Sequence, residues 1–184
     1  MPLKAFARAK VRLAGALLPA PRAELARSMA ASVLRAAGEL PRAVVCDDAE
    51  VADWAVSEGA RVVWAPGRGL DGAVADGVKA LAVDGATRVI VAHADLPLAV
   101  NLAWVARFPG VTIVPDRRDD GTNVICVPTA GDFPFSYGPS SFRRHARAAL
   151  DLGLPLRVVR EPRLGADVDV PDDLAPAGLC ATPR

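Results

Sequence analysis

The chain has 184 residues, of which 52% are hydrophobic and 23% are charged, so we predict one domain with a substantial core. Its net charge of +1 argues against a general attraction to nucleic acid or to membranes. No apolar run approaches the roughly 18 residues of a membrane span, and the apolar stretch after the basic start is too short for a signal peptide. We therefore expect a cytoplasmic protein with a domain over residues 1–176 and a loosely held tail over 177–184.

Strands and helices alternate along the chain. After a basic loop at 4–12, the spacing of apolar residues predicts helices at 21–40, 51–59, 73–84, 101–108 and 140–152, and strands at 43–46, 61–64, 88–92, 111–115, 123–128, 156–159 and 166–170. A last short helix opens at Pro171. Repeated βα units predict an α/β fold whose mostly parallel sheet is covered by helices on both faces. The strand ends should then carry the functional site.

Cysteines are few and widely spaced, at positions 46, 126 and 180. None has CxxC spacing, so we interpret them as reduced cytosolic thiols. His93 and His145 are too few and too far apart to indicate a zinc site or a catalytic triad, and we interpret both as structural.

Two aspartates flank a valine in the stretch LGADVDVPDDL. If this stretch is a strand, Asp167 and Asp169 point to the same face and Val168 to the other. Two neighbouring carboxylates in a dry environment need a cation between them, which can be a metal ion or a basic side chain. The alternative is a strand end that emerges into water, where both acids are harmless.

Asp95 follows the most apolar predicted strand, and Pro97 ends that strand. Open α/β sheets bind ligands beyond the carboxyl ends of their strands, so this position favours a functional role over a helix N-cap. Together, Asp95, Asp167 and Asp169 form a hard oxygen set that suits Mg²⁺ bridging to phosphates.

The basic start of the chain contains Lys4, Lys10 and Arg12 in a loop before the first predicted helix. These cations can hold a triphosphate at the same edge of the sheet, or they can form an ordinary solvated basic terminus. The sequence contains neither GxGxxG nor GxxxxGKS, the signatures of dinucleotide-binding and P-loop folds.

Two further loops, PDRRDDGTN and FSYGPSSFRRH, combine a glycine with hydroxyl groups. Ser140 and Ser141 lie at a predicted helix N-terminus, where hydroxyls and backbone amides suit a small anionic substrate or simply cap the helix.

Five motifs in order resemble the 2-phospho-L-lactate guanylyltransferase family, which includes the phosphoenolpyruvate guanylyltransferases of coenzyme F420 biosynthesis. The motifs are Lys4-x-Phe6-x-x-Ala9-Lys10-x-Arg12-Leu13, Ala94-Asp95-Leu96-Pro97, Asp116 with Gly121-Thr122-Asn123, Tyr137-Gly138-Pro139-x-Ser141-Phe142, and Asp167-x-Asp169-x-Pro171-x-Asp173-Leu174. The resemblance covers residues 2 to about 175.

The resemblance implies a three-layer, Rossmann-like nucleotidyltransferase fold and transfer of GMP from GTP to a phosphorylated three-carbon acid, with release of pyrophosphate. It implies that Asp95, Asp167 and Asp169 hold Mg²⁺ and act in catalysis with Lys10. By the same resemblance, Thr122, Gly138 and Ser141 contact the acid, while Lys4, Lys10 and Arg12 hold the GTP phosphates. The pathway also implies handover of the product to a downstream transferase.

Two departures from the family pattern affect these expectations. Only Met1 precedes Pro2, so the first core strand is expected to be truncated. Asp71 stands where the family often has Asn, so its charge acts at the nucleotide site or it caps a helix beginning at Ala73. The alternative functions are another nucleotidyltransferase, for molybdopterin or a sugar phosphate, and a catalytically inactive nucleotide-binding module.

Overall fold

A computed structural model of the protein describes residues 1–175 and 178. Its four α-helices and six strands alternate along most of the chain. The helices are α1 (Pro19–Ala36), α2 (Ala49–Ser57), α3 (Gly69–Val83) and α4 (Ser141–Asp151). The strands are β1 (Ala43–Cys46), β2 (Arg61–Trp64), β3 (Arg88–Ala92), β4 (Val111–Pro115), β5 (Thr122–Pro128) and β6 (Leu156–Val158). Four short 3₁₀ helices are Phe6–Arg8, Val11–Leu13, Leu102–Arg107 and Pro171–Asp173.

Parallel strand pairs are present, as expected for βα units, at β1–β2 and β4–β6. Strand β5 differs, because it runs antiparallel to both of its neighbours in the order β3-β5-β4-β6. The physical reason is the six-residue loop at 116–121, which is too short for the crossover that parallel strands require. The side chain of Asp116 organises this loop by accepting hydrogen bonds from the backbone N–H groups of Arg118, Asp120 and Gly121.

Helices cover both faces of the β3-β5-β4 sheet, which confirms the three-layer α/β/α arrangement. On one face, Val91, Ile113 and Ile125 pack against α3 and α4. On the other face, Val124 and Cys126 pack against α1 and the 3₁₀ helix Leu102–Arg107. Both β4 and β5 are buried over nearly their whole length, so the core lies between these layers.

The first residues lie beside β1. The Val45 N–H donates to Met1 O at 3.0 Å, and the Leu3 N–H donates to Val45 O at 2.9 Å. The pairing is marked by an isolated parallel bridge, Pro2 to Val45. Beyond it, a mainly apolar cavity of about 200 Å³ separates β1 from β3 and is walled by α1 and α3.

Three details of the sequence prediction are corrected. Residues 166–170 form no strand, because the Val168 N–H donates to Asp95 O while the next two amides bond a side chain instead of a neighbouring strand. The predicted helix at 101–108 is 3₁₀. Helix α3 begins at Gly69, so Asp71 lies inside its first turn and does not cap it.

Cys46 and Cys126 are buried free thiols, whereas Cys180 lies outside the described residues. The predicted tail at 177–184 lies outside them as well, except for Gly178. Within residues 1–175 no helix is long and apolar enough to cross a membrane.

Candidate active site

Three distant segments of the chain meet beyond the carboxyl end of β3. The Lys10 ammonium group donates to Asp95 Oδ2 at 2.6 Å and to Asp169 Oδ1 at 3.0 Å. Arg12 Nη1 reaches Asp169 Oδ2 at 3.5 Å, with its own side chain mostly exposed. A basic side chain therefore lies beside Asp169, one member of the acidic pair, and its second carboxylate partner is Asp95 and not Asp167.

Packing of the basic loop explains how Lys10 reaches this place. Phe6 and Leu13, on the two 3₁₀ turns, are fully buried, and the Phe6 ring lies edge-on to Trp54 at 5.2 Å. Lys10 itself adopts the left-handed conformation, with φ of 54°, and its carbonyl accepts a hydrogen bond from Arg22 at 3.4 Å. Because the loop is anchored on both sides of Lys10, the side chain is directed towards Asp95.

The charges of this cluster stabilise one another. Burial alone would lower the pKa of Lys10, but the nearby carboxylates of Asp95 and Asp169 outweigh it and raise that pKa. Burial alone would raise the pKa of Asp95, and the positive charge of Lys10 outweighs it, so the pKa of Asp95 is lowered. Both groups are therefore charged at neutral pH.

Asp167 lies in a different environment from Asp169. Its Oδ1 accepts a hydrogen bond from Asn123 Nδ2 at 3.3 Å. Burial raises the pKa of Asp167, and the negative charges of Asp95 and Asp169 raise it further against the effect of Asn123. Asp167 thus lacks the cation that Asp169 has.

Asp173 holds the acidic segment in shape. It is almost fully buried, its Oδ2 accepts the backbone N–H groups of Asp169 at 2.7 Å and Val170 at 2.9 Å, and its Oδ1 pairs with Arg117. Burial opposes ionisation, yet these hydrogen bonds and Arg117 lower the pKa of Asp173. Val168 points into the core, so Asp167 and Asp169 share the opposite, partly open side.

Two observations bear on whether Mg²⁺ fits among these carboxylates. Asp95 Oδ1 is buried with no hydrogen-bond partner among the described residues, and the raised pKa of Asp167 indicates uncompensated negative charge. Oxygen donors of this kind are those Mg²⁺ prefers. Within the described residues, no three acidic, histidine or cysteine side chains already form a metal-binding group, since Lys10 lies between Asp95 and Asp169. The carboxylate oxygens of Asp95 and Asp167 therefore have the chemistry that a Mg²⁺ ion prefers.

A cavity of about 320 Å³ adjoins the cluster. Its charged lining includes Lys4, Arg8, Lys10 and Asp95, and helix α3 contributes backbone and apolar atoms. Arg8 was not among the predicted residues, although it belongs to the same basic loop. The lining does not include Arg12 or Asp71.

Asp71 connects helix α3 to the loop before α4, because its Oδ1 accepts the Tyr137 N–H at 2.7 Å. His93 lies on the cavity wall, with its ring 5.0 Å from that of Tyr137. His93 Nε2 and the Tyr137 hydroxyl are buried and have no hydrogen-bond partner within the described residues. His93 therefore brings an unsatisfied nitrogen to the cavity wall. The Tyr137 ring, with its unsatisfied hydroxyl, lies between His93 and His145 of α4.

The residues predicted to bind the acid are close in the fold to helix α4. Thr122 and Ser141 are both buried, and the Ser141 N–H donates to Gly138 O at 3.0 Å. Thr122 precedes Asn123, the partner of Asp167, but the Thr122 side chain lies against His145 of α4. Ser140 makes no side-chain cap; its hydroxyl contacts Asp120 instead, at 3.2 Å.

His145 was interpreted as structural, and it is fully buried. The structure also shows it within hydrogen-bond distance of Thr122 Oγ1, at 3.0 Å. Sequence reasoning missed this contact. It also assigned no role to Arg8, or to Asn123 and Asp173, although the last two belong to the motifs given above.

Two solved structures share this fold. A nucleotide-diphospho-sugar transferase from Desulfovibrio desulfuricans G20 superposes with a TM-score of 0.73 over 92% of this chain and 80% of the other, at 16% identity. CMP:2-keto-3-deoxy-manno-octonic acid synthetase, in a complex with CTP, gives a TM-score of 0.57 over 95% and 93%, at 15% identity. These likenesses establish the fold alone.

Sequence comparison identifies the family. The phosphoenolpyruvate guanylyltransferase of Rubrobacter xylanophilus is 36% identical, over 95% of this chain and 90% of the relative. The 2-phospho-L-lactate guanylyltransferase of Halorubrum lacusprofundi is also 36% identical, over 91% and 78%. Residues 1–179 match the family described as "Guanylyl transferase CofC like". The chain belongs to the CofC-like guanylyltransferase family.

Proposed function

We propose that this protein transfers GMP from GTP to a phosphorylated three-carbon acid, phosphoenolpyruvate or 2-phospho-L-lactate, and releases pyrophosphate. The observation that carries the proposal is the placement of Lys10, between Asp95 and Asp169, in the wall of a cavity lined by further cations. The names of the two relatives above support the choice of acceptor.

The reaction needs alignment and charge neutralisation more than proton transfer. A phosphate monoester is already an anionic nucleophile, so its oxygen attacks the α-phosphorus of GTP while the bond to the pyrophosphate oxygen breaks. No histidine or cysteine base is required. The buried His145 agrees with this, because both of its ring nitrogens already contact Ser136 and Thr122.

On the nucleotide side, Lys4, Lys10 and Arg12 hold the GTP phosphates, and we add Arg8 because it lines the same cavity. Asp71 belongs to this side because its neighbours in the first turn of α3, Gly69 and Leu70, line the cavity. Positive side chains around the triphosphate favour the charge that builds on the leaving pyrophosphate.

On the acceptor side, Thr122, Gly138 and Ser141 contact the carboxylate or phosphate of the acid. The proposal rests on the resemblance to the family and on their common location at the start of β5 and the start of α4.

Asp95, Asp167 and Asp169 would hold Mg²⁺, which supplies charge neutralisation at the α-phosphate when it is bound. In the absence of the ion, Lys10 compensates two of these carboxylates. We propose that the activity depends on Mg²⁺.

The proposed setting is coenzyme F420 biosynthesis in the cytoplasm. The product joins two phosphates in a reactive anhydride, so handover to a downstream transferase would protect it from hydrolysis. No nucleic acid or membrane partner is proposed.

The test is pyrophosphate release from GTP with phosphoenolpyruvate, 2-phospho-L-lactate or 3-phosphoglycerate, with and without Mg²⁺. Release with one of the first two acids, and loss of release on chelation, is the expected result. GTP binding without pyrophosphate release with any acid would favour the inactive nucleotide-binding module. Preference for 3-phosphoglycerate or for another nucleotide would move the protein to a different nucleotidyltransferase class.

A further inference from the structure

Both ring nitrogens of His145 are engaged. Nε2 lies 2.9 Å from the backbone nitrogen of Ser136, and Nδ1 lies 3.0 Å from Thr122 Oγ1. The residue is on α4, and its ring is enclosed by the rings of Phe133, Phe135 and Tyr137. The ring therefore has a fixed orientation.

The partner of Nε2 determines the tautomer. A backbone N–H can only donate, so Nε2 must accept with its lone pair and carries no hydrogen. Burial lowers the pKa of His145 to about 4, so the ring is neutral at pH 7. The single ring hydrogen is therefore on Nδ1, and Nδ1–H donates to Thr122 Oγ1.

This assignment constrains the Thr122 hydroxyl. Because one of its lone pairs accepts from His145, its own hydrogen has to point elsewhere. Within residues 1–175, the structure shows no hydrogen bond that Thr122 Oγ1 donates; its side-chain contact is with His145 Nδ1. The Thr122 hydroxyl can therefore donate a hydrogen bond to a bound ligand.

We propose that His145 is a positioning residue that orients the Thr122 hydroxyl as a hydrogen-bond donor to the anionic acceptor substrate. The inference rests on the proposed function, since that is what places the acid beside Thr122. A neutral ring suits this task, because it fixes the hydroxyl without adding a charge that would compete for the substrate anion.

Two substitutions separate this role from simple packing. In His145→Asn the side-chain amide can occupy the place of Nδ1 and still donate to Thr122. In His145→Gln the amide oxygen can occupy the place of Nε2, so the Ser136 contact is kept and the Thr122 contact is lost. Both variants lose the ring that packs against Phe133 and Tyr137.

We expect His145→Gln to raise KM for the acid about tenfold, the usual effect of weakening one hydrogen bond to a charged group, with KM for GTP unchanged. His145→Asn should restore KM for the acid towards the wild-type value. In a Thr122→Val background, His145→Gln should cause no further rise. Equal effects of the two variants, or a rise that persists in the Thr122→Val background, would overturn the proposal.

A measurement without substrate tests the same inference. The ¹⁵N shifts of the His145 ring should show a protonated Nδ1 and an unprotonated Nε2 at pH 7. The opposite tautomer would overturn the orientation of Thr122 even if the enzyme is active. Absence of turnover by the wild-type protein would instead overturn the proposed function, and with it the identity of the bound anion.

Discussion

Lys10 Nζ and Asp95 Oδ2 lie 2.6 Å apart, although 85 residues separate them in the sequence. The side chain of Lys10 is 11% exposed and that of Asp95 is 20% exposed, so water screens this ion pair only weakly. The pair joins the basic loop to the end of β3, which means that one contact fixes the geometry of both candidate ligand-binding segments.

Lys10→Met removes the cation and should reduce kcat/KM for GTP by about a hundredfold or more, the usual cost of losing a preorganised electrostatic group. Steady-state kinetics measure the effect. The matched control is Lys79→Met. Lys79 lies on α3, and the substitution breaks its exposed ion pair with Asp132. Equal losses in both variants would contradict a specific role for Lys10.

Asp167→Asn should stabilise the protein at pH 7 while abolishing turnover. The pKa of Asp167 is raised in the folded state, mainly by burial, so its ionised form disfavours folding above the ordinary carboxylate range. Asparagine removes that charge and can still accept from Asn123. We expect a rise in Tm of about 2–4 °C, which corresponds to about 1 kcal/mol in a domain of this size.

The stabilisation by Asp167→Asn should vanish at a pH below the ordinary aspartate pKa of 3.8, because the folded and unfolded states then both bind the proton. The matched comparison is Asp169→Asn, which weakens a contact with Lys10 and should lower Tm. A lower Tm for Asp167→Asn at pH 7 would show that the charge is compensated in solution.

Asp173→Ala should lower the free energy of unfolding by about 1–3 kcal/mol, the usual cost of leaving buried hydrogen-bond donors without their acceptor. The variant leaves Arg117 and two backbone N–H groups without their acceptor. Urea unfolding gives the stability, and Asp172→Ala is the control, because Asp172 is an exposed neighbour. Similar unfolding midpoints for the two variants would refute this role of Asp173.

Local patterns in the sequence predicted most of the strands and the position of Asp95, because a buried apolar run and its end are local features. The same reasoning misassigned residues 166–170. Alternation of Asp and Val shows which side chains share a side, and Val168 is indeed buried, but a strand also requires a partner that the local pattern does not reveal.

Non-local contacts account for what was missed. Asn123 and Asp173 act through partners 44 and 56 residues away, and nothing adjacent to them in the sequence marks those contacts. The antiparallel direction of β5 had a readable signal in the short, glycine-containing loop between two apolar runs, which is typical of a hairpin. Without a partner in view, His145 could be interpreted only as a core residue.

The cavity between β1 and β3 divides the described sheet into two halves that share no strand ladder. Helices α1 and α3 pack across the division. Side-chain packing therefore holds the two halves together where a continuous sheet would have backbone hydrogen bonds. The cation-lined cavity straddles the same division, with Val45 and Cys46 on one side and His93 and Asp95 on the other. A nucleotide bound there would contact both halves of the sheet. Its binding would therefore stabilise their association, and a more stable association would strengthen the binding.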